Sequence, residues 1–229
     1  MTWVQTYSGV AFELLAPRAE DVRAADLAHA LAYSCRFGGH TRSHLSVAQH
    51  SILVAALVWH RTGDADARLH ALLHDAHEAY TGDIKQPVKW LVEERAGRGV
   101  IAAIEAPIDA AIFAWARLEK FSPGAVKRAD SEILLWERDR FVGPPVMPWF
   151  LDGKVDELTD DDFGVGPGSS LLEAWRPEIA ERAFAVALRW CCKSVEGGAE
   201  AVPPWLFHEL HAGLCGRARR TAASGEGEQ

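Results

Sequence analysis

Several things are scarce in this chain of 229 residues, and each scarcity narrows what it can be. Cysteine is scarce: Cys35, Cys191, Cys192 and Cys215 are the full set, and their spacing fits neither a disulfide framework nor a zinc ribbon. They read as reduced thiols, the state a cytoplasmic protein keeps. Basic charge is outnumbered, with 24 Lys and Arg against 32 Asp and Glu, a formal net charge of −8. That balance argues against extended nucleic acid or an anionic membrane as a partner. Long apolar runs are missing, so no membrane span is expected. The opening "MTWVQTYSGVAFELLAPRAEDV" lacks the basic start, apolar stretch and small-residue cleavage site of a secretory signal. What remains is 48% hydrophobic and 24% charged, a globular composition whose length favours one large domain over two small ones. Nine Trp residues read as core or pocket-wall aromatics.

The apolar periodicity is helical almost throughout, which makes this an all-α chain. The exception is the start, where Gly9 in Tyr7-Ser8-Gly9 suits the turn of a short hairpin. "EDVRAADLAHALAYSCRF" puts Val22, Leu27, Leu31 and Phe37 near one face, and the Gly pair of "FGGHTRSH" then breaks the helix. A second helix is expected over about Ser46–Arg61, with Val47, Val54, Leu57 and Val58 inside. A third, capped by Asp64 or Asp66, is expected to reach Tyr80, with Leu69, Leu72, Leu73 and Ala76 inside. Thr81-Gly82-Asp83 ends it, and Pro87 opens a short helix. Others follow at about Val100–Leu118 and from Pro123, the latter carrying Val126, Ile133, Leu134 and Phe141. The Gly-, Pro- and Asp-rich text from Gly143 to about Ser170 reads as a long solvated loop, functional or mobile; its Asp run lacks EF-hand spacing. Helices at about Pro177–Lys193 and Trp205–Arg217 complete one domain over 1–220, and 221–229 is a disordered tail.

Some polar residues sit where apolar ones belong. His50 follows Val47 by three and precedes Val54 by four, so it points inward with them. Asp130 stands in the same relation to Val126, Ile133 and Leu134. In "LHALLHDAHEAYTGD", His74 and Asp75 directly follow the core pair Leu72-Leu73, and Glu78 lies four after His74. A lone inward His is usually a satisfied core histidine, and a lone inward Asp is usually salt-bridged. Four together, His50, His74, Asp75 and Asp130, form a nitrogen–oxygen donor set suited to a divalent metal. The set would leave positions open for water or substrate. The spacing of His70, His74 and His77 could chelate zinc, but the H-E-x-x-H order is absent, and His77 reads as a neighbour of the site that contacts substrate. His208 and His211 read as surface residues, and Cys191-Cys192 as packing.

The order His, His-Asp, Asp resembles the HD-domain metal-dependent phosphohydrolases. Here it runs "VAQHS" (His50), "LLHDAHEAYTGD" (His74, Asp75) and "VKRADSEIL" (Asp130). "HDAHEAYTGDIKQPVK" is similar to the 5′-deoxynucleotidase branch, and the resemblance covers about Leu27 to Phe141. It implies a helical bundle, a divalent ion (Co²⁺, Mn²⁺, Zn²⁺, Fe²⁺ or Mg²⁺) on those four ligands, and a homodimer. It also implies acid–base work by Glu78 and Asp83 and a phosphate contact by Arg36. Where that branch has a Trp that helps choose the sugar, this chain has Phe37, followed by the inserted "GGHTRSH". His40, Arg42, Lys85 and Lys89 are further candidates for meeting the negative charge of a phosphate monoester.

The expected activity is hydrolysis of a nucleotide phosphate ester, first a (deoxy)nucleoside 5′-monophosphate to nucleoside and phosphate. A triphosphohydrolase or phosphodiesterase on the same metal site stays open, as does a non-catalytic nucleotide-binding regulatory module. A di-iron oxygenase would need further inward histidines between His77 and Asp130, and there are none. The acidic chain bounds the size of the partner, a small phosphorylated molecule, and leaves its sign to the site.

Overall fold

The computed structural model describes residues 2–163 and 170–197, and most of them are helical. The expected hairpin is present: β1 (Trp3–Gln5) pairs antiparallel with β2 (Ala11–Glu13), with Trp3 opposite Glu13. Gly9 turns the chain at φ +87°, where a side chain would be strained. Asp26 fastens that turn to the body of the protein. It accepts from the Ser8 backbone N–H at 2.6 Å and from the Ser8 hydroxyl at 2.8 Å. Asp26 belongs to α1 (Ala24–Tyr33), which begins later than expected because Ala19–Asp21 forms only a 3-10 turn. Val22, Leu27 and Leu31 bury completely, whereas Phe37 lies beyond the helix end.

The next helix, α2 (Val47–Thr62), is the centre of the molecule. Ser46 Oγ caps it by accepting from the Gln49 N–H at 3.1 Å, and Gly63 at φ +62° ends it. Its buried residues run almost unbroken from Val47 to Val58, so it is enclosed on every side and not along one stripe. Asp64, not Asp66, caps α3 (Ala65–Leu73), accepting from the Ala67 N–H at 3.0 Å. There follow α4 (Glu78–Thr81), α5 (Gln86–Ala96) with Pro87 in its first turn, and α6 (Val100–Trp115). Then α7 (Pro123–Glu137) runs straight into a π-helical turn, Arg138–Val142, which stops at Gly143. Last is α8 (Pro177–Gly197), and α1, α3, α7 and α8 all pack against α2.

The stretch after Gly143 is irregular, as its composition predicts, but it is not merely solvated. Its acidic residues stay near the surface in pairs: Asp156 with Arg128 at 2.5 Å, Asp160 with Arg140 at 3.0 Å and Asp152 with Arg138 at 2.5 Å. Its apolar residues do the opposite, and Phe163, Leu171 and Leu172 join the core. Gln49, fully buried, ties the returning chain to α2. Its amide donates to the carbonyls of Leu171 and Glu173 at 3.2 and 2.5 Å and accepts from the Trp175 N–H at 3.0 Å. On α8, Cys191 packs into the core and Cys192 beside it, as expected of the vicinal pair. The expected helix Trp205–Arg217, with His208, His211 and Cys215, and the tail 221–229 lie outside the described residues.

Candidate functional site

His50 on α2, His74 and Asp75 just past α3, and Asp130 on α7 converge, as their inward positions predict. His50 Nε2 lies 3.2 Å from Asp130 Oδ1 and 3.6 Å from Asp75 Oδ2. His74 Nε2 lies 3.2 Å from Asp75 Oδ2 and 3.8 Å from Asp130 Oδ1. Metal–ligand bonds of about 2.0–2.2 Å set neighbouring donor atoms roughly 3 Å apart or a little more, so these separations suit one ion. The orientation of the rings is the stronger evidence. His50 Nδ1 faces Glu137 Oε1 at 2.9 Å, and His74 Nδ1 faces the Ala71 carbonyl at 2.8 Å. Both partners only accept, so both Nδ1 atoms carry the proton. That turns both Nε2 atoms toward the carboxylates, and both are buried without a hydrogen-bond partner. Two orphaned imidazole nitrogens facing two carboxylates fit a divalent cation, with Glu137 and the Ala71 carbonyl orienting the ligands.

Electrostatics agrees. Burial alone would raise the Asp75 and Asp130 carboxyls, but the imidazoles beside them hold both well below the usual range. The same contacts raise both imidazoles against their burial, so a cation entering the cluster competes with protons there. Asp130 is not sealed in the core as its place in the apolar series suggests. Its side chain is 36% exposed, because the inward face of α7 opens on a cavity at this point.

The single helix expected to reach Tyr80 is interrupted at the site. The α3 ladder stops at Leu73, and the chain tightens to i→i−3 bonds: Ala76 N–H to Leu73, Glu78 N–H to Asp75 and Ala79 N–H to Ala76, at 3.0–3.2 Å. With three residues per turn, residues i and i+3 eclipse. Glu78 therefore stacks over Asp75, instead of sitting one α-turn beyond His74. Its carboxyl is buried, and Oε2 has no hydrogen-bond partner. Burial first, then the negative charges of Asp75 and Asp83, push its pKa up to about 8. Burial and Asp75 also raise Asp83, against the pull of Arg36.

These groups form the floor of a cavity of about 710 Å³. Arg36, Phe37, His40, Asp75, Glu78, Asp83, Lys85, Lys89 and Asp130 all line it, which gathers most of the expected site residues in one place. Arg36 is buried, with Nε and Nη2 donating to Glu137 Oε2 at 3.3 and 3.2 Å and Nη1 3.9 Å from Asp75 Oδ2. Those carboxylates overcome the cost of burial and keep it charged. Arg36 starts a loop whose ends are stapled by a bridge between Cys35 and Ser46 and by the Arg36 N–H to Leu45 carbonyl bond at 2.8 Å. Inside it, Phe37 adopts φ +55°, a left-handed conformation that strains a bulky residue. Gly38 at φ +60° leaves room for Lys85, whose Nζ would lie 2.7 Å from a Cβ there.

Three candidates spend themselves elsewhere. The Arg42 guanidinium lies against Gly143, and the Arg42 backbone N–H donates to the Phe141 carbonyl at 2.8 Å, docking the loop on the end of the π-helical turn. His77 turns away from the cavity toward α6, with Nδ1 2.9 Å from Asp109 and Nε2 3.5 Å from Glu105. Burial opposes its charge, but the two carboxylates push its pKa up to about 10. Lys89 lines the cavity with its ammonium held by Glu105 at 2.8 Å.

Sequence reasoning missed Glu137, although it stands seven residues after Asp130 (130 to 137), the next step in the series through Ile133 and Leu134. It also missed the far wall of the cavity, where Trp90, Trp149 and Phe150 stand with Phe37. Nothing in the irregular text after Gly143 signals which of its residues fold back.

No family model matches the chain. It is 35% identical over 138 residues to the uncharacterized protein YfdR of Escherichia coli K12, across 60% of this chain and 71% of YfdR. It is also 35% identical over 131 residues to an uncharacterized protein of Rhodobacter capsulatus, across 56% of this chain and 64% of that one. At that identity and coverage, the chain belongs to the same family as YfdR.

Proposed function

We propose that this protein is a metal-dependent phosphohydrolase that cleaves a nucleotide phosphate ester, with a (deoxy)nucleoside 5′-monophosphate as its first substrate. The observation that carries the reading is the pair of orphaned Nε2 atoms of His50 and His74 facing Asp75 and Asp130 beneath a cavity of substrate size. A divalent ion on these four residues supplies Lewis acidity toward a phosphoryl oxygen and acidifies water. The cavity floor holds the carboxylates of Asp75 and Asp130 against the buried Arg36, so it repels a bare phosphate and suits one accompanied by a metal.

The chain's own groups divide the remaining work. Arg36, held in place by Glu137, presents its fixed guanidinium to phosphoryl oxygens, and Lys85 over Gly38 adds a second positive charge. Glu78 holds its proton near neutrality at a buried carboxyl whose Oε2 has no hydrogen-bond partner, which suits it to protonate the leaving sugar oxygen. Asp83, also raised, lines the same cavity, which suits it to orient water.

The test is an assay of the purified protein with Mn²⁺, Co²⁺, Zn²⁺, Fe²⁺ or Mg²⁺ on mono-, tri- and cyclic nucleotides, with free phosphate detected separately from triphosphate. Phosphate release from monophosphates is expected, abolished by chelator and by Asp75→Asn. Glu78→Gln should keep its metal and lose about 10²–10⁴-fold in turnover. If no ester is cleaved with any metal, the hydrolase reading fails.

A further inference from the structure

The cavity lining is of two chemical kinds. The metal ligands and carboxyls make one; four aromatic rings from three separate segments make the other, which meets the first where the Arg36 guanidinium lies 5.6 Å from the Phe37 ring centroid. Phe37 and Trp149 meet at a tilt of 51° with centroids 6.1 Å apart, and Trp90 meets Phe150 edge to face at 4.9 Å. Trp90 and Phe150 line the cavity and remain 46% and 37% exposed.

This wall is built, not incidental. The Trp149 N–H donates to Asp152 Oδ2 at 2.6 Å, and the Asp152 N–H returns to the Trp149 carbonyl at 3.1 Å. Asp152 Oδ1 accepts from the nearly buried Arg138 at 2.5 Å, and the Arg138 guanidinium lies 5.3 Å from the Trp149 ring centroid. Beside it, Phe37 is held in its left-handed conformation by a loop stapled at both ends. Both rings are therefore positioned before anything binds.

We propose that the aromatic part of the lining is a stacking slot for the planar base of the substrate, and that Trp149 is its specificity-determining residue. The proposal rests on the phosphohydrolase reading only for the placement of the phosphate at the metal ligands. Apart from the carboxyls and the cations Arg36, Lys85 and Lys89, the polar side chains lining the cavity besides the Trp indoles are Gln86 and His40, too few to read the hydrogen-bonding edge of one base. Stacking, by contrast, accepts any base. The slot thus selects for the presence of a base and tolerates its identity.

The experiment uses the full chain and two readouts: intrinsic Trp fluorescence on titration, and kcat/KM with phosphate detection. The probes are deoxyadenosine and deoxycytidine, their 5′-monophosphates, and the base-free deoxyribose and deoxyribose 5-phosphate. Nucleosides should quench Trp fluorescence and deoxyribose should not, with or without metal. The two bases should bind within several-fold of each other. Trp149→Ala should cut the preference for nucleotide over deoxyribose 5-phosphate by about tenfold, and Trp149→Phe should recover most of it. Unchanged far-ultraviolet circular dichroism excludes unfolding. Equal losses for nucleotide and deoxyribose 5-phosphate, or no loss in Trp149→Ala, overturn the slot. Trp149-dependent nucleoside binding without ester cleavage sinks the hydrolase reading and leaves the slot standing.

Discussion

Nδ1 of His50 and Oε1 of Glu137 are 2.9 Å apart, and neither side chain has any solvent exposure. Glu137 Oε2 also takes two bonds from Arg36, so one carboxylate orients a metal ligand and anchors a phosphate contact at once. Glu137→Gln can still accept from His50 but loses the charge. Metal affinity is expected to fall about 10–100-fold, measured by chelator competition. Glu137→Ala leaves Arg36 without its main partner and should cost about 3–5 kcal/mol in urea unfolding. Wild-type metal affinity in Glu137→Gln would show that His50 is positioned by packing alone.

His77 offers a test by pH. Its imidazole is raised to about 10 by Asp109 and Glu105, against a burial that lowers it and an ordinary value of 6.5. The folded state therefore holds a proton that the unfolded chain releases above 6.5. The resulting stability is fully present below 6.5 and is lost as pH rises through about 10. The unfolding free energy of wild type minus that of His77→Gln should shrink across this window. A difference that stays flat there would mean that His77 is neutral in the fold.

Gln49 makes three hydrogen bonds to Leu171, Glu173 and Trp175. Gln49→Ala strands those backbone groups and should cost about 2–4 kcal/mol. Urea unfolding followed by circular dichroism measures it. A loss below about 0.5 kcal/mol, the size of a surface change, would mean that the returning chain is held by its apolar residues alone.

Gly38→Ala puts a side chain at φ +60°, with its Cβ 2.7 Å from Lys85 Nζ. The expected cost is about 1 kcal/mol. The ammonium is the mobile end of its side chain and will shift, so phosphate affinity should fall to that of Lys85→Ala. Full affinity in Gly38→Ala, with Lys85→Ala impaired, would show that the ammonium reaches phosphate from elsewhere.

Much of this could be read from residue order, where spacing carries geometry. The inward positions of His50 and Asp130 follow from the apolar residues three and four away, and Asp64 is one of the two caps the sequence offers for α3. The spacing of Glu78 four after His74 does not place it as a continuous helix would, because the chain tightens to i→i−3 bonds before reaching it. That change depends on tertiary packing, which local periodicity does not encode. The aromatic wall was illegible for a related reason. Trp149 owes its position to Asp152 and Arg138, and no repeat or spacing links a loop residue to the cavity it closes.

The stapled loop from Cys35 to Ser46 has an evolutionary consequence. Closing a longer loop between fixed ends costs little, only about 0.6 kcal/mol for each doubling of length. Descendants could therefore lengthen, shorten or exchange this segment while α2 and its metal ligand stay in register. Substrate choice could diverge here as a replaceable cassette, without reopening the question of whether the protein folds.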